Sequence, residues 1–241
     1  TVMQGLRDRI SLSSLCLLAA LLIFALAVIP DGAEAQTSTD QVTYEVKRGD
    51  TLFSLARKYL RSQSDYRIIQ RLNRIVDPFK IPVGTSLRIP FHLLRYRPST
   101  ASLSAFRGDL TPVQGLDIAE GSYIATAARS FLTLQLEDGS RVSLPTNSQI
   151  RIARLRHILL TDSVDYEIAV QKGRIRSKVV PLEKQADRYR VRTPVAVSAV
   201  RGTDYRTRVD AATGTAFSET VEGEVVVAAG RSLAGNGLIS V

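Results

Sequence analysis

The chain holds two histidines, His92 and His157, and one cysteine, Cys16, so few side chains could carry covalent or metal chemistry. A cysteine nucleophile needs a thiolate beside a base, yet Cys16 sits in an apolar run near the amino terminus that reads as a removable leader, which leaves the mature chain without a cysteine. A hydrolytic zinc site needs converging His and carboxylate ligands, and no His-x-x-x-His pair occurs. No nucleophile-elbow motif surrounds a serine, which argues against that type of Ser-His-Asp hydrolase. Two carboxylates meeting in a cleft could still cut a glycosidic bond, so a glycan-cleaving enzyme stands as an alternative reading. The expectation is a non-catalytic protein with no metal and no cofactor, in which His92 and His157 are structural or surface residues.

The elements that would position a binding site come next. With 241 residues and 44% hydrophobic content, the chain has room for one or two domains with a real core. Arg7, Asp8 and Arg9 precede an apolar run from Leu15 to Ile29, followed by Pro30, Asp31, Gly32 and then Ala33-Glu34-Ala35. A charged start, a run of this length and a small-x-small end predict a secretory signal peptide over 1–35, removed after Ala35. An uncleaved anchor is the rival reading, but spanning a bilayer takes about 20 apolar residues. Ser14 and Leu15 before Cys16 do not match the small-residue signal of a lipoprotein and most of the apolar run lies after it, so Cys16 reads as an apolar leader residue.

Without the leader, 30 basic residues face 20 acidic ones, a net charge of +10 and no cysteine. A basic exported protein meets anionic envelope polymers and membrane surfaces before nucleic acid. A periplasmic or cell-envelope location follows, with the membrane touched only through an uncleaved leader and no nucleic-acid partner. The chain starts at Thr1 rather than Met and stops in an apolar stretch at Val241, so 230–241 reads as a carboxy-terminal segment of a chain cut short.

Between Thr43 and Pro90 the pattern is strand, helix, helix, strand. Tyr44-Glu45-Val46 begins a strand, and Asp50 or Thr51 can cap a helix from about Leu52 to Leu60 with Leu52, Leu55, Ala56 and Tyr59 on one face. A second helix, with Asp65 as its cap, carries Ile68, Ile69 and Leu72. Turns at Asp77-Pro78 and Pro82-Val83-Gly84 lead to a closing strand, Ser86 to Pro90. Such a unit buries only a thin core, two helices on one face of a two-stranded antiparallel sheet. Ten basic and four acidic residues give it a balance of +6.

These residues resemble a lysin-motif (LysM) module over 43–90. The resemblance rests on Tyr44-x-Val46-x-x-Gly49-Asp50-Thr51-Leu52-x-x-Leu55-Ala56, on Asn73 and Asp77-Pro78, and on Ile81-Pro82-x-Gly84-x-x-Leu87-x-Ile89-Pro90. It implies binding of N-acetylglucosamine units of peptidoglycan or chitin in a shallow groove between two loops. Carried onto this chain, the groove residues are Gly49, Asp50, Thr51 and Leu52 on one side and Phe79, Lys80, Ile81 and Pro82 on the other. An N-acetyl group offers one amide donor, one acceptor and a methyl, which loop backbone and small apolar surfaces can match.

After a connector at 91–100, the apolar period changes to two. Leu132, Leu134 and Leu136 precede Asp138-Gly139, a hairpin signal, and Val142 and Leu144 resume the alternation. The pattern returns at Ile150 and Ile152, at Tyr166 to Val170, at Tyr189 and Val191, at Tyr205 to Val209 and at Val225 and Val227, with turns read at Gly202 and Gly214. An all-β domain over 101–229 follows: a sandwich, roll or solenoid.

Its fingerprints resemble a FecR-type domain: Phe106-Arg107-Gly108-Asp109, Gly121-Ser122, Asp138-Gly139-Ser140, Gly173-Arg174, Thr193-Pro194, Val200-Arg201-Gly202-Thr203 and Glu222-Gly223. The family's best-known members relay a signal from an outer-membrane transporter to a cytoplasmic sigma factor. Only about nine residues precede the apolar leader here, so the expectation is a β-domain that binds an envelope protein or the wall. An accessory sensor is the alternative. Arg151, Arg154, Arg156 and His157, and Arg174, Arg176 and Lys178, read as wet strand faces, with a docking surface for an acidic protein or anionic polymer as the second reading.

Overall fold

A computed structural model describes residues 40–108, 110–111, 117–210, 212–229 and 239–240. The signal peptide expected at 1–35, Cys16, Asp109 and most of 230–241 lie outside the described residues.

The first module forms where the periodicity places it. Strand β1 (Gln41–Glu45) pairs with β2 (Ser86–Pro90), and helices α1 (Leu52–Tyr59) and α2 (Tyr66–Leu72) lie between them in sequence. Helix α1 buries Leu52, Leu55 and Ala56, the stripe expected of a two-helix layer. Thr51 is its cap, in a reciprocal box: Ser54 N–H donates to Thr51 Oγ1 and Thr51 N–H donates to Ser54 Oγ, both at 2.9 Å. Asp65 does not cap α2 with its side chain; a short 3-10 turn, Gln63–Asp65, leads into that helix instead. Asn73 ends α2 and docks it on β2, donating to the Ile69 and Arg88 carbonyls and accepting from Arg88 N–H, each at 2.8 Å.

The connector is itself built in. Phe91, Leu93 and Leu94 are buried, Arg61 N–H donates to the Leu93 carbonyl and Arg95 N–H to that of Tyr59. Strand β3 (Tyr96–Pro98) then pairs with the end of β10 (Gln149–Ile158). The core of the first module extends into the β-domain through Ile158 and Ala186, and the Arg188 guanidinium lies 3.4 Å from the centre of the Phe91 ring.

The β-domain is one branched sheet. Strands β4 (Ala101–Arg107), β8 (Phe131–Leu136) and β9 (Arg141–Leu144) are antiparallel neighbours, and the Asp138-Gly139 hairpin joins the last two. Short strands β5 (Leu110–Thr111), β6 (Asp117–Ile118) and β7 (Tyr123–Thr126) attach at its margins. The long strands are β11 (Ser163–Lys178), β13 (Ala196–Asp210) and β14 (Thr215–Ala229), with β12 (Arg188–Arg192) parallel to β11 and β15 (Ile239–Ser240) parallel to β14.

Two of these long strands change partners midway. The first part of β11 lies between β10 and β12, and its second part, from Gly173, between β9 and β13. Gly173 has φ +82°, and a Cβ there would stand 2.5 Å from the Asn147 carbonyl oxygen and 2.6 Å from Ser148 Cα. Likewise β13 passes from β12 to β11 around Gly202 (φ +64°), where a Cβ would meet Pro181 Cα at 2.7 Å. Gly202, expected in a turn, thus sits inside a strand, at a register irregularity where the strand changes partner. The enclosed core holds the alternating residues, from Leu132, Leu134 and Leu136 to Tyr166, Tyr189 and Tyr205.

Candidate functional site

The eight residues expected to line a groove fall on two loops of the first module. Lys47 to Asp50 make a turn closed by a 3.1 Å bond from Asp50 N–H to the Lys47 carbonyl, with Gly49 at φ +90° in its third position, a type II geometry. The second loop starts at Asp77, whose Oδ1 accepts from Phe79 N–H at 2.8 Å while its carbonyl accepts from Lys80 N–H at 3.2 Å. Leu52 N–H donates to the Pro78 carbonyl at 2.9 Å, tying the loops together.

Within this frame the side chains divide. Leu52 and Ile81 are buried and belong to the module core. Asp50 accepts from Lys47 N–H and from the Tyr44 hydroxyl, both at 2.8 Å, and burial together with this carboxylate raises the Tyr44 pKa. Thr51 is occupied as the cap of α1. Asp50 and Thr51 therefore build the loop, and their side chains are already bonded.

Gly49, Phe79, Lys80 and Pro82 face solvent. Among the described residues, the Gly49 and Ile81 N–H groups have no partner in the protein. Those two donors lie on different loops, joined by the Leu52–Pro78 bond.

Sequence reasoning named Phe79 but missed the rings that it groups with. Phe79 is 59% exposed and its ring centre lies 6.0 Å from that of Phe53, itself 40% exposed on α1. Phe53 in turn meets Tyr66 edge-on at 6.2 Å. Clustered exposed rings mark contact surfaces. The available signal was Phe53 itself, an aromatic off the Leu52, Leu55, Ala56 stripe.

The β-domain carries a second polar arrangement. Asp165 and Glu167 on β11 are buried and bridged by three arginines from neighbouring strands. Arg190 reaches Asp165 and Arg192 reaches Glu167, each at 2.5 Å. Burial pushes the Glu167 pKa up, but the Arg192 hydrogen bond and the charges of Arg190, Arg192 and Arg154 outweigh it and leave a net depression. Arg156 holds Glu120 bidentately, at 2.7 and 2.5 Å, and His157 pairs with Asp162. The wet face expected at Arg151 to His157 is thus a partly buried ion-pair layer, in which Arg151 alone stays exposed, 5.2 Å from the Tyr123 ring. Among the described residues, no group of three or more His, Cys, Asp or Glu is placed to hold a metal, and no helix is long and apolar enough to cross a membrane.

Comparison with known proteins agrees with this division. Residues 44–90 match the LysM domain family and residues 122–226 the family described as FecR protein. No curated protein and no solved structure matches the chain.

Proposed function

A LysM domain followed by a FecR domain is the premise, and from it we propose a non-catalytic cell-envelope protein. The LysM groove binds N-acetylglucosamine-containing strands of peptidoglycan, and the FecR domain presents a surface to a protein or wall partner. Both families are non-catalytic and typical of envelope proteins. The observations that support the reading are the unpartnered Gly49 and Ile81 N–H groups on two loops joined by the Leu52–Pro78 bond, and the exposed rings of Phe79 and Phe53. Donors of this kind suit the acetamido carbonyl, and the rings suit the apolar faces of a pyranose and the acetyl methyl. The basic surface of the module adds salt-sensitive attraction to an anionic wall.

Tethering is the mechanism, since weak sugar contact raises the local concentration of the second domain at the wall. The test is co-sedimentation of the protein with purified insoluble peptidoglycan at low and high salt. Pelleting should survive high salt and fall severalfold in Phe79→Ala and Phe53→Ala. Pelleting that vanishes with salt, or that ignores both substitutions, would refute glycan recognition in this groove. Release of soluble muropeptides would instead reveal a glycan-cleaving enzyme.

A regulatory reading has an observation of its own. The LysM core runs into the β-domain through Ile158, Ala186 and the Arg188–Phe91 contact, so wall contact could bias the FecR surface as a sensor would require.

A further inference from the structure

On its outer face, the sheet places like charges directly opposite each other. Arg174 on β11 pairs in register with Arg208 on β13, and Arg176 with Arg206. Like charges at facing positions destabilise a ladder, so folding gives no reason for two such pairs side by side. Arg176 is relieved by Asp204 and Arg206 by Glu219. Among the described residues, the guanidiniums of Arg174 and Arg208 have no partner.

The neighbours of this pair are apolar. Register continues from Arg208 to Phe217 on β14, and beyond β9 at the other side stands Phe131 on β8, so exposed rings lie on either side of the two arginines. Phe131 is 43% and Phe217 50% exposed. These residues line a cleft of about 750 Å³. From β8 across β9, β11 and β13 to β14 is four strand spacings, roughly 19 Å, the length of about six extended residues.

We propose that this cleft is a docking site for a short extended acidic peptide segment of a protein partner, with carboxylates on Arg174 and Arg208 and apolar side chains on Phe131 and Phe217. Arginine forks match carboxylates bidentately, and the volume suits a segment of a few residues. The flanking rings favour a peptide over a phosphate polymer, which has no apolar groups to offer them. The assignment rests on reading the FecR domain as a partner-binding surface and gives that partner a chemistry.

The test is fluorescence anisotropy of the full chain with a labelled hexapeptide carrying leucine at both ends and four glutamates between. Saturable binding is expected, weakened at least tenfold by Arg208→Glu and severalfold by Phe217→Ala, and absent for the same peptide with glutamines. Arg208→Glu should leave the unfolding temperature unchanged or higher, because the new carboxylate faces Arg174; a merely structural arginine would show the reverse. Arg208→Gln provides a second variant that removes the charge without reversing it, and it too should weaken binding.

No saturation below about 1 mM, equal binding of the glutamine peptide, or parental affinity in the arginine variants would overturn the proposal. Displacement of the probe by polyphosphate or by phosphatidylglycerol vesicles at equal charge would do so too, making the cleft a general anion surface. The arginine variants should still pellet with peptidoglycan and Phe79→Ala should still bind the peptide, so failure at either site is read separately.

Discussion

Replacing Gly173 by alanine tests the idea that β11 changes partners only because backbone passes backbone there. Alanine at φ +82° costs about 1–2 kcal/mol for the left-handed conformation alone. Its Cβ would also stand 2.5–2.7 Å from the Asn147 carbonyl oxygen and from Ser148 Cα and Oγ, so backbone must move. Overpacking of that kind adds about 1–3 kcal/mol. Ser148 has little room to yield: it accepts from Arg174 N–H at 3.0 Å through Oγ, donates through N–H to Thr126 Oγ1 at 3.1 Å, and its carbonyl accepts from Thr126 N–H at 2.9 Å. The expected loss is roughly 2–5 kcal/mol, a large part of a typical stability of about 5–15 kcal/mol, and it should lower the unfolding temperature by roughly 4–20 °C. Urea denaturation of the full chain measures it, with Gly49→Ala as the reference. Gly49 has φ +90° but nothing within 4 Å of its would-be Cβ, so only the conformational cost applies. If the two variants lost the same stability to within about 0.5 kcal/mol, the close approach at Gly173 would not constrain the fold and the account of the strand switch would be wrong.

Three further outcomes follow from the same structure. Glu167→Ala leaves Arg190 and Arg192 short of a buried partner and should cost about 3 kcal/mol in urea titrations, whereas Glu167→Gln, which keeps an acceptor for Arg192, should cost clearly less. Acid should destabilise the protein. The arginines hold Glu120 and Asp204 below the ordinary carboxylate range, Arg97 and then Ser99 do the same for Glu137, and Lys184 with His157 pulls Asp162 to about 2. Depressed values contribute stability that is complete above the unfolded values of about 4 and lost as pH falls through the folded ones. Asp138, raised by burial, contributes in the opposite sense, so a melting temperature that rose from pH 5 to pH 3 would contradict the balance drawn here. Ile158→Ala, at the end of β10 inside the first module's core, should cost about 2–4 kcal/mol and keep a single calorimetric transition, and two separated transitions in the parent protein would show that the modules do not share a core.

Much of the architecture was legible in the residues because it depends on local periodicity. Spacings of three and four at Leu52, Leu55 and Ala56, and of two at Leu132, Leu134 and Leu136, report which side of an element is dry whatever it packs against. Asp138-Gly139 marked a hairpin for an equally local reason. The groove loops were located by motif, but the role of each side chain was not. Asp50 and Thr51 read both as groove residues and as cap candidates; their hydrogen bonds to Lys47, Tyr44 and Ser54 give each side chain a part in building the loop.

Other features exist only once distant segments meet. Gly202 looked like a turn because positive φ is usual in turns, and the approach of Pro181 that places it inside a strand is a long-range event. The arginines of β10 looked like a wet face because alternation cannot reveal that Asp165 and Glu167, on the next strand, are buried beneath them. Nor does spacing along the chain reveal that Arg174 faces Arg208 across a ladder between Phe131 and Phe217. The chain by itself determined which apolar residues are dry and where most elements lie, since those follow from side-chain periodicity and turn chemistry. Strand register, the shared core of the two modules and the cationic cleft were decided by tertiary structure alone, because pairing between remote strands chooses which charges stand together.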